Sequence, residues 1–155
     1  MRWKALSLTA LVILTLSSFS GYSQDKGFGL GIILGEPTGV SGKYWLDESW
    51  AIDAGLAYSF AHPNKTFSFH ADYLFHDETL IRSSLRLPVY YGIGARLHAG
   101  NGGGNTFGAR GVIGIVWIPE NTPFDLFIEL APVFNLFPET SLHLDLAVGG
   151  RYYFK

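Results

Sequence analysis

The sequence predicts an all-β chain, an eight-stranded antiparallel up-and-down transmembrane β-barrel behind a cleaved leader. Three observations carry that expectation. After residue 23 most of the chain alternates apolar and polar residues with a period of two, the mark of strands with two unlike faces. The last such segment, Ser141 to Phe154, runs to about 14 residues, where an ordinary strand has roughly 5–6 and a tilted strand crossing a bilayer needs roughly 9–11. Inside the alternating segments the apolar face carries no Asp, Glu, Lys or Arg; every such residue falls on the opposite face.

Composition agrees. Among 155 residues there are 19 glycines, 15% aromatic and only 15% charged residues, against roughly 25% charged in soluble domains. There is no cysteine, which removes disulfides, thiol catalysis and a lipoprotein anchor together. A net charge of −2 argues for no nucleic-acid partner. The start reads as a leader: Met1-Arg2-Trp3-Lys4 is basic, Ala5 to Leu16 apolar, and Ser17 to Ser23 rich in small residues. The apolar run is short of the roughly 20 residues of a spanning helix. Cleavage after Ser23 is expected, with Ser20 as the alternative, giving a signal peptide at 1–23 and one barrel domain at 24–155. No later stretch suits a membrane helix, so a membrane form must be a closed barrel.

The elements follow in order. Residues 27–35 place Phe28, Leu30, Ile32 and Leu34 opposite Gly27, Gly29 and Gly31, and Glu36-Pro37-Thr38 breaks the run. Residues 39–45 alternate more weakly, with Val40 and Tyr44 against Ser41 and Lys43. In 50–60 Trp50, Ile52, Ala54, Leu56, Tyr58 and Phe60 share a face, and Asp53 lies on the other. In 66–76 Phe67, Phe69, Ala71, Tyr73 and Phe75 oppose Ser68, His70, Asp72, Leu74 and His76. Residues 77–84 have no firm period, and the pattern resumes at Leu85 with Leu87, Val89, Tyr91, Ile93, Ala95 and Leu97 against Tyr90, Arg96 and His98. Residues 100–106 form a Gly/Asn-rich hairpin tip. Residues 107–118 carry Phe107, Ile113, Ile115 and Trp117 outward and Arg110 inward. Residues 124–134 set Phe124, Leu126, Ile128, Leu130 and Phe134 against Asp125, Phe127 and Glu129. Pro132 gives no N–H to a ladder and is expected near an end or a bulge. In 141–154 Leu142, Leu144, Leu146, Val148, Tyr152 and Phe154 oppose His143, Asp145, Arg151 and Tyr153. Trp45, Trp50, Tyr58, Phe60, Phe67, Phe107, Trp117, Phe124 and Phe134 lie near segment ends, as the aromatic girdles of membrane barrels do.

The leader, the eight alternating segments and the aromatic last strand together resemble the small eight-stranded outer-membrane barrels of the OmpA and OmpX type. The resemblance is one of pattern over the whole mature chain. It implies residence in the cell outer membrane, contact with outer-membrane lipid, insertion by the barrel assembly machinery, and a monomer. It also implies that Tyr152 and Phe154 form the C-terminal assembly signal; here Lys155 follows the terminal aromatic, a departure from the family pattern.

Charges on the inward face of so narrow a barrel must pair. Lys43, Asp53, His70, Asp72, Arg96, Arg110, Glu129, His143, Asp145 and Arg151 are therefore expected to form a lumenal polar network that fills the barrel. A proton or ion path is the sharper alternative. His70-x-Asp72 and His143-x-Asp145 are the residue types of a metal site, but an eight-strand barrel sets strands four and eight on opposite walls, and neither a metal nor a cofactor is expected. No catalytic spacing emerges among His62, His98, Ser59 and Ser68, and GNGGGNT lacks the Lys-Ser/Thr of a phosphate loop, so an enzyme is not expected. The expected function is structural or one of surface interaction. The alternatives are a soluble lipocalin-like barrel that encloses an apolar ligand and a lipid-modifying enzyme acting at the rim.

Overall fold

The computed structural model describes residues 27–36, 38–59, 66–100 and 104–154. The leader, His62 and the terminal Lys155 lie outside them. Eight strands make up the described chain: β1 (Gly27–Gly35), β2 (Gly39–Trp45), β3 (Trp50–Ser59), β4 (Thr66–Asp77), β5 (Val89–Gly100), β6 (Thr106–Trp117), β7 (Phe124–Phe137) and β8 (Ser141–Phe154). Each pairs antiparallel with the next, and β8 returns to pair with β1, so the sheet closes. The closed ring leaves no edge along most of its length, which is how an all-β chain satisfies its backbone without help.

The register is staggered. One lateral row of paired residues runs Tyr153, Gly29, Lys43, Asp53, Asp72, Gly94, Arg110, Val133 and His143, and so meets β8 again ten residues from its start. A stagger of this kind goes with strands tilted about 35–45° to the barrel axis. The end bearing Gly27, Phe154 and the connections 46–49, 78–88 and 118–123 is called the lower end; the opposite end, where β1, β3, β5 and β7 finish, is called the upper end.

The two faces of the strands have separate fates. Large apolar side chains on all eight strands are exposed on the outer surface, among them Leu30, Val40, Ile52, Tyr73, Ile93, Ile113, Ile128 and Leu146. Lys43, Asp53, Asp72, Arg110, Asp125, Glu129, Asp145 and Arg151 are all buried. Toward the lower end Trp45, Leu74, Tyr90, Val116, Ile118, Phe127 and Tyr153 belong to one cluster of buried apolar residues.

Glycines make this filling fit. His70, Asp72, Tyr90, Phe127 and Tyr153 are paired in the ladder with Gly55, Gly94, Gly114, Gly149 and Gly29 respectively. At each of these glycines a Cβ would collide with its partner's side chain. Large inward groups thus lie down over bare backbone on the next strand.

Three expectations are corrected. β5 begins at Val89, not Leu85. Pro88 has no N–H for a ladder, and β4 stops pairing at Asp77–Val89. The preceding segment follows β6 only through its carbonyls, with Arg86 and Pro88 accepting from Ile118 and Val116 at 3.0 Å each. Pro132 lies inside β7, away from its ends, while the register shift occurs at Phe107/Gly108. Its ring lies against Gly111 on β6, where a Cβ would make an ordinary contact with it at 3.6 Å. Trp45 belongs to no outer girdle: its odd position turns it inward, where the Lys43 Nζ lies 4.5 Å from its ring centre.

Candidate functional site

The lumenal charges form two forks, each centred on an arginine. In the upper one, Arg110 from β6 donates from Nε to Asp72 Oδ2 at 3.0 Å, from one terminal nitrogen to Asp145 Oδ2 at 3.0 Å, and from the other to Glu129 Oε1. One guanidinium therefore ties β4, β7 and β8 across the barrel. Arg96 from β5 donates to both oxygens of Asp145 at 2.7 and 2.8 Å, and the Tyr90 hydroxyl donates to Glu129 Oε2 at 3.0 Å. Gly94 sits between Asp72 and Arg110 in the lateral row, and its missing side chain lets the two meet.

In the lower fork, Arg151 from β8 donates to Asp53 Oδ2 and, at 3.2 Å, to Asp125 Oδ1, and stacks 4.0 Å from the centre of the Phe127 ring. The Tyr153 hydroxyl donates to Asp125 Oδ2 at 2.6 Å. Lys43 is set apart: its Nζ donates to His76 Nε2 at 2.6 Å and lies over the Trp45 and Tyr90 rings. Because Nε2 accepts, His76 carries its hydrogen on Nδ1, which faces the Ser49 carbonyl at 3.2 Å.

Nine of the ten residues singled out in the sequence thus lie in the interior, with Arg96 partly exposed at 12% of its side chain. His143 is the correction. Alternation aims it inward, but the stagger lifts the first residues of β8 above the last β1–β8 pair, Gly35–Ala147, and His143 is exposed. The two His–Asp pairs consequently do not converge. Their aspartates do, through Arg110.

Donor atoms of His70, Asp72 and Glu129 lie within 4.8 Å of one another. Arg110 already binds both carboxylates there, so the place a metal ion would take is filled by a guanidinium, and the three are not a ligand set. Of the residues considered for rim chemistry, Ser68 is buried and His98 half-buried.

Tyr90, Tyr153, His76 and Ser41 also serve the network. The pattern puts them on the inward face, but an uncharged side chain gives no sign that it will complete a carboxylate's hydrogen bonds. Asp125 and Arg151 are each legible as inward charges; that they are partners is not, because the two are brought together only by β7–β8 pairing.

Tyr152 and Phe154 face outward at the lower end of the last strand, rings 5.1 Å apart in an edge arrangement. Comparison with protein-family models, with curated proteins and with solved structures returns no match for this chain.

Proposed function

We propose that this chain is an integral outer-membrane β-barrel protein, a monomer exported by its leader. On this reading its lumen is a filled strut and not an open pore, and its role is structural or lies in the surface it presents. One observation carries the reading: exposed apolar side chains cover all eight strands, while the charges within the strands, apart from Asp77 at the end of β4 and the partly exposed Arg96, are enclosed. In water that belt would far exceed the few hundred Å² of contiguous apolar surface a soluble monomer tolerates. A ten-residue strand about 33 Å long, tilted about 40°, stands about 25 Å tall, the height of the apolar band of a membrane barrel. A barrel storing an apolar ligand needs the opposite sense, greasy inside, and this interior is ionic and packed.

The likeness to OmpA- and OmpX-type barrels supports the same reading by pattern, with Tyr152 and Phe154 as the signal read by the assembly machinery. The upper connections are short, which favours a compact surface over a long-looped receptor.

Heat-modifiability tests the proposal. The outer-membrane fraction is run on an SDS gel unboiled and boiled. Retention in that fraction with a mobility shift on boiling is the expected result. Release as a soluble protein by osmotic shock would overturn it.

A further inference from the structure

The upper fork does not balance. Asp72, Glu129 and Asp145 bring three carboxylates to two guanidiniums, Arg110 and Arg96. An ionised carboxylate left uncompensated in an enclosed site is strongly disfavoured, and such a group neutralises instead.

The hydrogen bonds say which one. Asp145 accepts from Arg96 and Arg110, and Glu129 accepts from Arg110 and Tyr90. Asp72 accepts from Arg110 through Oδ2 alone, and its Oδ1 is, among the described residues, the one buried carboxylate oxygen without a hydrogen-bond partner. Its surroundings point the same way. Asp72 is paired across the ladder with a second carboxylate, Asp53 from β3, which in turn is paired with Lys43 from β2. Glu129 from β7 and Asp145 from β8 share its guanidinium, and Arg96 from β5 and Arg151 from β8 are committed to other carboxylates. His70 is no better a carrier: it is paired with Arg96 and its Nε2 lies 3.9 Å from the oxygen that Arg110 holds.

We propose that the folded barrel binds one proton, on Asp72 at Oδ1, so that the upper fork is neutral as two guanidiniums against two carboxylates. The proton comes from solvent when the ring closes. Unfolded, Asp72 is an ordinary aspartate with a pKa near 3.9. Above that pH the folded state holds one proton more than the unfolded state. This contribution to stability is complete in acid and is lost as pH rises, by about tenfold in the folding equilibrium per pH unit until the buried carboxyl ionises. The inference rests on the closed ring and its charges, not on the bilayer, so it stands or falls separately from the membrane reading.

Infrared spectroscopy of the full-length folded protein at pH 7 tests it. The wild type should show the carbonyl stretch of a protonated carboxyl, shifted by ¹³C labelling of aspartate, and Asp72→Asn should lack it. The folding equilibrium of D72N should lose the extra tenfold-per-unit pH dependence of the wild type. No protonated-carboxyl band in the wild type overturns the proposal even if D72N does not fold. So does a band that persists in D72N, or a stability that follows sodium concentration and not pH.

Discussion

The two arginine forks are built alike and differ in what surrounds them. Arg151 meets two carboxylates in the lower lumen and lies on the Phe127 ring. Arg110 meets three carboxylates at mid-barrel, with help from Arg96 at one of them. Both forks cross the lumen, Arg151 from β8 to Asp53 on β3 and Arg110 from β6 to Asp72 on β4 and Asp145 on β8; the lower one is lined by aromatic rings, and the upper one gathers one more carboxylate. Both arginines should therefore matter to the ring as a whole, Arg110 more, because it holds three carboxylates where Arg151 holds two.

The largest expected effect comes from removing the cation. Arg110→Met leaves Asp72 and Glu129 without their guanidinium and Asp145 with Arg96 alone, and should cost about 3–5 kcal/mol or prevent closure. Arg151→Met should cost less, since it uncovers two carboxylates and not three. Urea unfolding in lipid vesicles, read by gel mobility, checks the order, and a larger loss for Arg151→Met would break the comparison. Next come the tyrosines. Tyr153→Phe strips Asp125 Oδ2 of its hydroxyl donor, leaving one bond of 3.2 Å from Arg151, and should cost about 1–3 kcal/mol. Tyr90→Phe should cost less, because Arg110 still holds Glu129. Arg96→Gln, at a partly exposed side chain, should lose about 1–2 kcal/mol, between the ranges of exposed and enclosed pairs. His143→Ala should change stability by under about 0.5 kcal/mol. An effect of His143→Ala as large as that of Arg96→Gln would place this histidine back in the network.

Much of this was written in the alternation. Period two is a geometric property of an extended chain, so the face of Lys43, Asp53, Glu129 or Arg151 can be read without knowing a single contact. What alternation cannot give is height. His143 and Asp145 have the same parity, yet one is exposed and the other enclosed, because the ten-residue stagger decides where each strand enters and leaves the ring. Trp45 shows the reverse error: its position near a strand end suggested a girdle, while its parity already placed it inside. Pairing was the other hidden quantity. Glycines opposite His70, Tyr90 and Phe127 are visible as small residues, but only the register reveals that each lies beneath a particular ring.

The seam between the first and last strands sets the order of events in folding. Phe28 pairs with Phe154, so the contact that closes the ring joins nearly the two extremes of the described chain, and long-range pairing of this kind is slow to form. That same last strand carries Arg151. Until it docks, Asp53 and Asp125 have not met the guanidinium that holds them. Asp125 meets that guanidinium in the β7–β8 hairpin, but Asp53 on β3 meets it only across the closed ring, so a chain cut short before residue 151 would leave both acids without their cation.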